Sequence, residues 1–237
     1  MPPLVLALDA STPMAVVALV RDRVLSERAT RIPTGAGGRL LGDVEAVLQD
    51  HGLAPADLDL IAVGVGPGSF TGIRAAMATA RALGWASGVP VEGVVSLEAI
   101  AWSAGRGVIA PVIDARKGEV YGALYRVAGA VEVLVPPRVG TAEAVRDAIL
   151  AAGVEALLVG DGSRGPAFAG VRPLTPGPVA LDEPRGAAIA ALAVAQIALR
   201  GTRPLAEIRP VYLRRSEAEI AIGPPTGGTV VEARTAG

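Results

Sequence analysis

The chain has 237 residues, 51% of them apolar and 19% charged, with a net charge of −1. That is enough apolar chain for one large or two modest packed domains, far from a disordered composition. The missing positive balance excludes a protein that grips nucleic acid strongly by itself, although a basic face can still be gathered by folding. With no cysteine there is no disulfide, thiolate catalysis or iron–sulfur ligation. Aromatics are only 3%, so the interior must be built from Ala, Val, Leu and Ile.

Residues 4–9 form an apolar run ending in an acid, Asp9, and read as a strand. Residues 14–20 and 24–28 read as two more, joined by Arg21-Asp22-Arg23. A helix is expected at 38–51, a strand at 60–65, a helix at 72–85, an extended piece at 89–95 and a further helix capped by Ser96. The second half repeats the order. A strand at 108–114 again ends in an acid, Asp114, and is followed by strands at 119–127 and 131–135. Thr141 caps a helix that Gly153 stops; a strand at 156–159, a turn at Gly160-Asp161-Gly162 and a last helix at 185–199 complete the echo. No initial basic-then-apolar pattern appears, and the apolar run at 186–199 is shorter than the roughly 20 residues that span a bilayer. A soluble, cytoplasmic protein is expected.

Three strands, a helix, a strand and a helix, occurring twice, is the duplicated βββαβα pattern of the actin/hexokinase-like (ASKHA) α/β fold. Two lobes are expected, 1–104 and 105–215, with a boundary near Gly105-Arg106-Gly107. The helix at 185–200 could pack back towards the first lobe, and 216–237 reads as a disordered tail.

The loop Gly66-Pro67-Gly68-Ser69-Phe70-Thr71-Gly72 joins the strand at 60–65 to a helix rich in strong helix formers. Glycine allows the tight bend, and Ser69 or Thr71 can cap the new helix. Such a helix start offers an anion site, or is simply a capped turn. It is not a P-loop, because no Gly-Lys-Ser/Thr follows. Asp9 and Asp114, at equivalent strand ends, are the candidates for orienting magnesium or phosphate between lobes; the plainer reading is that each caps its own turn. Ala10 follows Asp9 where a phosphate would approach most easily over glycine. His51 is the only histidine, so no His-rich metal site can form, which argues against a metallopeptidase. Lys117, the only lysine, reads as a solvated turn residue, and Arg116 with Glu119 as a structural ion pair near the lobe boundary.

Two helices carry apolar stripes: Leu40, Leu41, Val44, Val47 and Leu48 on the first, Ile73, Met77, Ala80 and Leu83 on the second. The second is apolar around most of its circumference, Arg74 and Arg81 excepted. A partner surface beyond the sheet-covering face is therefore expected.

The runs Leu6-Ala7-Leu8-Asp9-Ala10-Ser11-Thr12, Gly66 to Arg74, Ile113-Asp114-Ala115-Arg116-Lys117-Gly118-Glu119-Val120-Tyr121 and Pro210-Val211-Tyr212-Leu213-Arg214 together resemble the TsaB family. That family is the non-catalytic, dimerising part of the bacterial machinery that makes threonylcarbamoyladenosine in tRNA. The resemblance implies the same ASKHA fold and a scaffold that binds a TsaD-like catalytic subunit. It places that partner on the two N-terminal helices, through Leu40, Leu41, Val44, Val47, Leu48, Ile73, Met77 and Ala80. It further implies a TsaE-like ATPase as third partner, a possible homodimer of the free chain, and tRNA met only through the complex. No cofactor is expected in this chain, ATP, magnesium and metal residing on the partners. Gly35-Ala36-Gly37-Gly38 stands where many members carry a histidine and hydrophilic residues, and suggests a mobile lead-in to the first helix. The alternative is an autonomous ATP-dependent kinase or phosphatase using Asp9 and Asp114 around magnesium.

Overall fold

The computed structural model describes residues 1–31 and 39–214; the glycine lead-in at 35–38 and the tail at 216–237 lie outside the described residues. Two five-stranded sheets share one topology. The first runs β3-β2-β1-β4-β5, from β1 (Val5–Asp9), β2 (Met14–Val20), β3 (Val24–Arg31), β4 (Leu60–Gly64) and β5 (Val91–Val94). The second runs β8-β7-β6-β9-β10, from β6 (Gly107–Arg116), β7 (Glu119–Val127), β8 (Val131–Thr141), β9 (Ala156–Val159) and β10 (Leu174–Pro176). In each, three antiparallel strands are extended by two parallel ones reached through crossovers. This is the two-lobe ASKHA architecture.

The two-residue period of a strand assigns each face its own helices. Leu6 and Leu8 of β1, Val17 and Leu19 of β2 and Ile61 and Val63 of β4 turn outward to α1 (Arg39–Gln49) and α2 (Phe70–Ser87). Their neighbours Val5, Ala7, Ala18, Leu60 and Ala62 turn inward to α5 (Gly186–Arg200). In the second sheet Ile109, Ile113, Tyr121 and Tyr125 meet Leu97 and Ile100 of α3 (Ser96–Ser103). Ala110, Val112, Val120 and Leu124 face the outer helix α4 (Ala142–Leu150). The inner helices are therefore exchanged: α3 follows the first sheet in sequence and covers the second, while α5 follows the second and covers the first.

Two sequence expectations change here. The last helix does not repeat α2; by its packing it is the counterpart of α3. Where α2 would recur, residues 161–168 form short 3₁₀ turns, because Gly162, Gly165, Pro166 and Gly170 cannot sustain a helix. The edge strand β10 has three residues and ends in Pro176, too short to carry an alternating pattern. Beyond α5, residues 201–214 run as a strap along α2 and then across to the second lobe. Arg81 donates to the Ile208 carbonyl, the Val211 amide to Val65 O at 2.8 Å, and Arg214 Nη1 to Ala115 O at 3.2 Å.

Candidate functional site

Asp9 ends β1, and no part of it reaches solvent. Its Oδ1 accepts from the Ser11 amide at 2.7 Å and the Ser11 hydroxyl at 2.6 Å, and its Oδ2 from the Ser96 hydroxyl at 2.7 Å. Ser96 Oγ in turn accepts from the Gly66 amide at 3.1 Å. Ser96 thus does not cap α3, as its position suggested, but ties Asp9 to the glycine loop. Burial raises the Asp9 pKa, and the hydrogen bonds from Ser11 and Ser96 oppose that rise. The carboxylate lies where a side chain on Gly64 would be: a Cβ there would fall 1.7 Å from Oδ2.

The loop Gly66-Pro67-Gly68-Ser69-Phe70-Thr71-Gly72 closes over this acid. The Ser69 amide donates to Ser11 O at 2.7 Å, and Ser69 Oγ caps α2 by accepting from the Gly72 amide at 3.2 Å. A Cβ on Gly72 would stand 1.9 Å from Ala10 O. The backbone approach that glycine permits is used by the neighbouring turn of the chain. The Ser69 and Gly72 amides are spent inside the protein, so the loop is a capped turn in which Ser69 is the cap. Asp9 spends both carboxylate oxygens on Ser11 and Ser96 within the chain, the arrangement of an acid that caps its own turn.

Asp114 differs. It is exposed; its Oδ1 accepts from the Arg116 amide at 2.8 Å, and its own amide donates to Asp161 Oδ1 at 3.0 Å. Burial and then the charges of Asp114 and Asp182 raise the Asp161 pKa, against the Asp114 amide. Asp114 and Asp9 share no hydrogen-bond partner, and the structure does not bring them together. Glu119 pairs with Arg214 at 3.4 Å rather than with Arg116, which reaches Asp114 at 3.8 Å. Between the lobes, Val16, Glu27 and Ala29 face Val179, Glu183 and Arg185 across a cavity of about 140 Å³, below the roughly 300 Å³ at which small-molecule pockets begin. Among the described residues no three of His, Cys, Asp and Glu stand together as metal ligands, and His51 lies exposed beyond the end of α1. No helix of the described residues is long and apolar enough to cross a membrane.

The expected partner stripe needs the plainest correction. Leu40, Val44, Val47, Leu48, Ile73, Met77 and Ala80 are between 0 and 5% exposed, packed on the chain's own sheet; only Leu41, at 50%, is open. What α2 presents outward is Arg74, Ala78, Ala82, Trp85 and Ala86, with Trp85 84% exposed. That face is legible as the apolar residues left over once one stripe covers the sheet, but the stripe expected to meet a partner is the one that meets the sheet. A group not foreseen sits at the start of α2. The Arg74 guanidinium lies 3.7 Å above the Phe70 ring and donates through Nε to the Tyr212 hydroxyl at 2.9 Å, with the two rings 5.0 Å apart. Arg74 and Arg81, seven residues apart on one helix line, are the two points at which α2 holds the strap. The strap is also anchored at the buried Glu92, which accepts from Arg200 at 3.1 and 3.2 Å and from Arg203.

The chain is similar to several known proteins. The family described as TsaD, tRNA N6-adenosine threonylcarbamoyltransferase, matches residues 38–147. A Bacillus subtilis tRNA threonylcarbamoyladenosine biosynthesis protein TsaB is 39% identical over 137 residues, 56% of this chain and 59% of that protein. An uncharacterized Mycobacterium tuberculosis protein is 48% identical over 124 residues, 51% of this chain and 58% of that one. The chain thus spans little more than half the length of the curated relatives it matches. The solved structure of YeaZ from Pseudomonas aeruginosa superposes with a TM-score of 0.77 at 31% identity, covering 89% of this chain and all of that one. With the whole of that relative matched at 31% identity, the chain belongs to the TsaB (YeaZ) family.

Proposed function

We propose that the chain is a non-catalytic scaffold in the synthesis of threonylcarbamoyladenosine in tRNA, docking a TsaD-like catalytic subunit on the outer face of α1 and α2. The observation that carries it is the exposed Trp85 beside Ala78 and Ala82, a flat small-residue surface with one large aromatic anchor. Alanines let a second helix approach closely, and a desolvated tryptophan is the side chain that most often dominates a contact. The enclosure of Asp9 by Ser11, Ser96 and the 66–72 loop supports a role in assembly for this subunit. ATP, magnesium and the transfer-site metal then belong to the TsaD-like and TsaE-like partners, and tRNA is engaged by the assembled complex. The same outer face serves a homodimer when the catalytic subunit is absent. The names of the curated relatives place them in this biosynthesis and support the reading.

Co-expression with a TsaD-type subunit, followed by sizing of the complex, tests it. Trp85→Glu should abolish co-purification while leaving the melting temperature of the free chain unchanged. A complex that survives Trp85→Glu and Ala82→Arg alike would remove this face from the assembly. Met77 is no probe of docking, since it lies 5% exposed in the chain's own core and a charge there would unfold the lobe.

A further inference from the structure

The strap is bound to both lobes, and it changes from one to the other between Val211 and Leu213. Leu205, Ile208 and Val211 pack into the core on the outer face of the first sheet, whereas Leu213 packs into the core shared by the second sheet and α3. Tyr212, between them, belongs to neither core. It is 41% exposed and is held by α2: Arg74 Nε donates to its hydroxyl at 2.9 Å, and the Phe70 ring lies 5.0 Å from its own.

Beyond Tyr212 the strap ends on an irregular part of the second sheet. The β6–β7 register passes from Asp114 opposite Val120 to Arg116 opposite Glu119, so Ala115 stands between them as a bulge. Arg214 donates to the Ala115 carbonyl at 3.2 Å and pairs with Glu119 at 3.4 Å, gripping both strands beside the turn. Arg74 joins these contacts to the docking face. Arg74, Ala78, Ala82 and Trp85 are exposed in sequence along one side of α2. A partner lying on that line covers Arg74, and a guanidinium stacked on aromatic rings is held more firmly once water is excluded from it.

Resting on the scaffold function, we propose that the Arg74–Tyr212 stack is a latch through which docking on α2 tightens the strap and, through Arg214, the β6–β7 turn of the second lobe. The two states are the end of the strap bound to the second lobe and the same residues released by local opening. A subunit seated on α2 desolvates the stack and favours the bound state. Such coupling is reciprocal: the factor by which docking favours the bound strap is the factor by which the bound strap favours docking.

The test is hydrogen exchange, read by mass spectrometry, on the full chain alone and in complex with a TsaD-type subunit, with the affinity of that complex measured alongside. Docking should slow exchange in α2, which it covers, and also in residues 113–121, by about tenfold. Arg214→Gln releases the second lobe without touching α2. It should abolish the slowing at 113–121, keep that in α2, and weaken the complex by the same factor of about ten. Tyr212→Phe, which keeps the ring and loses the hydroxyl, should lose part of both effects. Exchange at 113–121 that ignores docking, or an affinity that ignores Arg214→Gln, overturns the latch and leaves the scaffold reading intact. Slowing at 113–121 that persists in Arg214→Gln also overturns it, in favour of direct contact between partner and turn. Should Arg214→Gln unfold the chain, Tyr212→Phe decides: unchanged exchange and affinity overturn the latch. A wild-type chain that assembles with no TsaD-type subunit defeats the scaffold reading itself, and the latch with it.

Discussion

The two halves of the molecule share a sheet, a strand order and an acid at the end of the first strand, yet they use that acid in opposite ways. Asp9 is sealed beneath the 66–72 loop; Asp114 stands open at a turn. The difference lies in the segment after the fourth strand of each sheet. In the first half a glycine loop folds back onto residues 10–12 and launches the 18-residue α2. In the second half the chain breaks into 3₁₀ turns and leaves the acid open. A duplicated scaffold thus became one half that presents a helix and one half that presents a turn.

The strongest way to break this contrast is to disturb the lid. Gly72→Ala should destabilise by about 4 kcal/mol in urea unfolding, because its Cβ would meet the Ala10 carbonyl. In an open helix the same change would stabilise by about 1 kcal/mol. In the second half Gly165→Ala, whose nearest contact is 3.8 Å away, should lie within about 0.5 kcal/mol of wild type.

The helix exchange can be read through pH. Glu98 on α3 is half-buried, and desolvation raises its pKa from 4.5 to about 7. The folded state therefore holds this proton more tightly than the unfolded chain. The stability it favours is complete below about pH 4.5, is lost as pH rises to about 7, and is flat beyond. Glu98→Gln should abolish that decline, leaving the variant more stable than wild type by about 3 kcal/mol at pH 8. An unchanged profile would mean that α3 is not enclosed by the second lobe.

Smaller effects sharpen the comparison of the acids. Asp9→Ala strands the Ser11 and Ser96 donors and should cost about 2 kcal/mol. Asp114→Ala should cost less than about 1 kcal/mol, since its bonds are exposed to water. Equal losses would mean that Asp9 is as accessible as Asp114. Last, Trp85→Glu should change the stability of the free chain by less than about 0.5 kcal/mol, which separates docking from folding.

Much of the architecture was legible because strand alternation and helix stops are local. The strand at 60–65, the Thr141 cap on α4 and the Gly201 stop on α5 all depend on neighbours within a turn or two. The lid residues 66–72 stand out in the sequence as well, though not what they cover. Periodicity gives the width of an apolar stripe, but not which of two faces the sheet will take. That is why Met77 and Val47 read as partner residues and Trp85 does not. The strap escapes sequence reading because its anchors, Arg74 with Tyr212 and Arg81 with Ile208, lie more than 120 residues apart, beyond any local signal.

By itself the sequence determined the doubled fold, the want of thiol and histidine chemistry, and the small-residue character of α2, since each depends on residue type and short-range spacing. Tertiary structure alone decided that Asp9 is enclosed, that α3 and α5 trade sheets, and that the strap ties α2 to the second lobe. Those outcomes depend on which distant surfaces meet, and the geometry of that meeting is set by packing the whole chain at once.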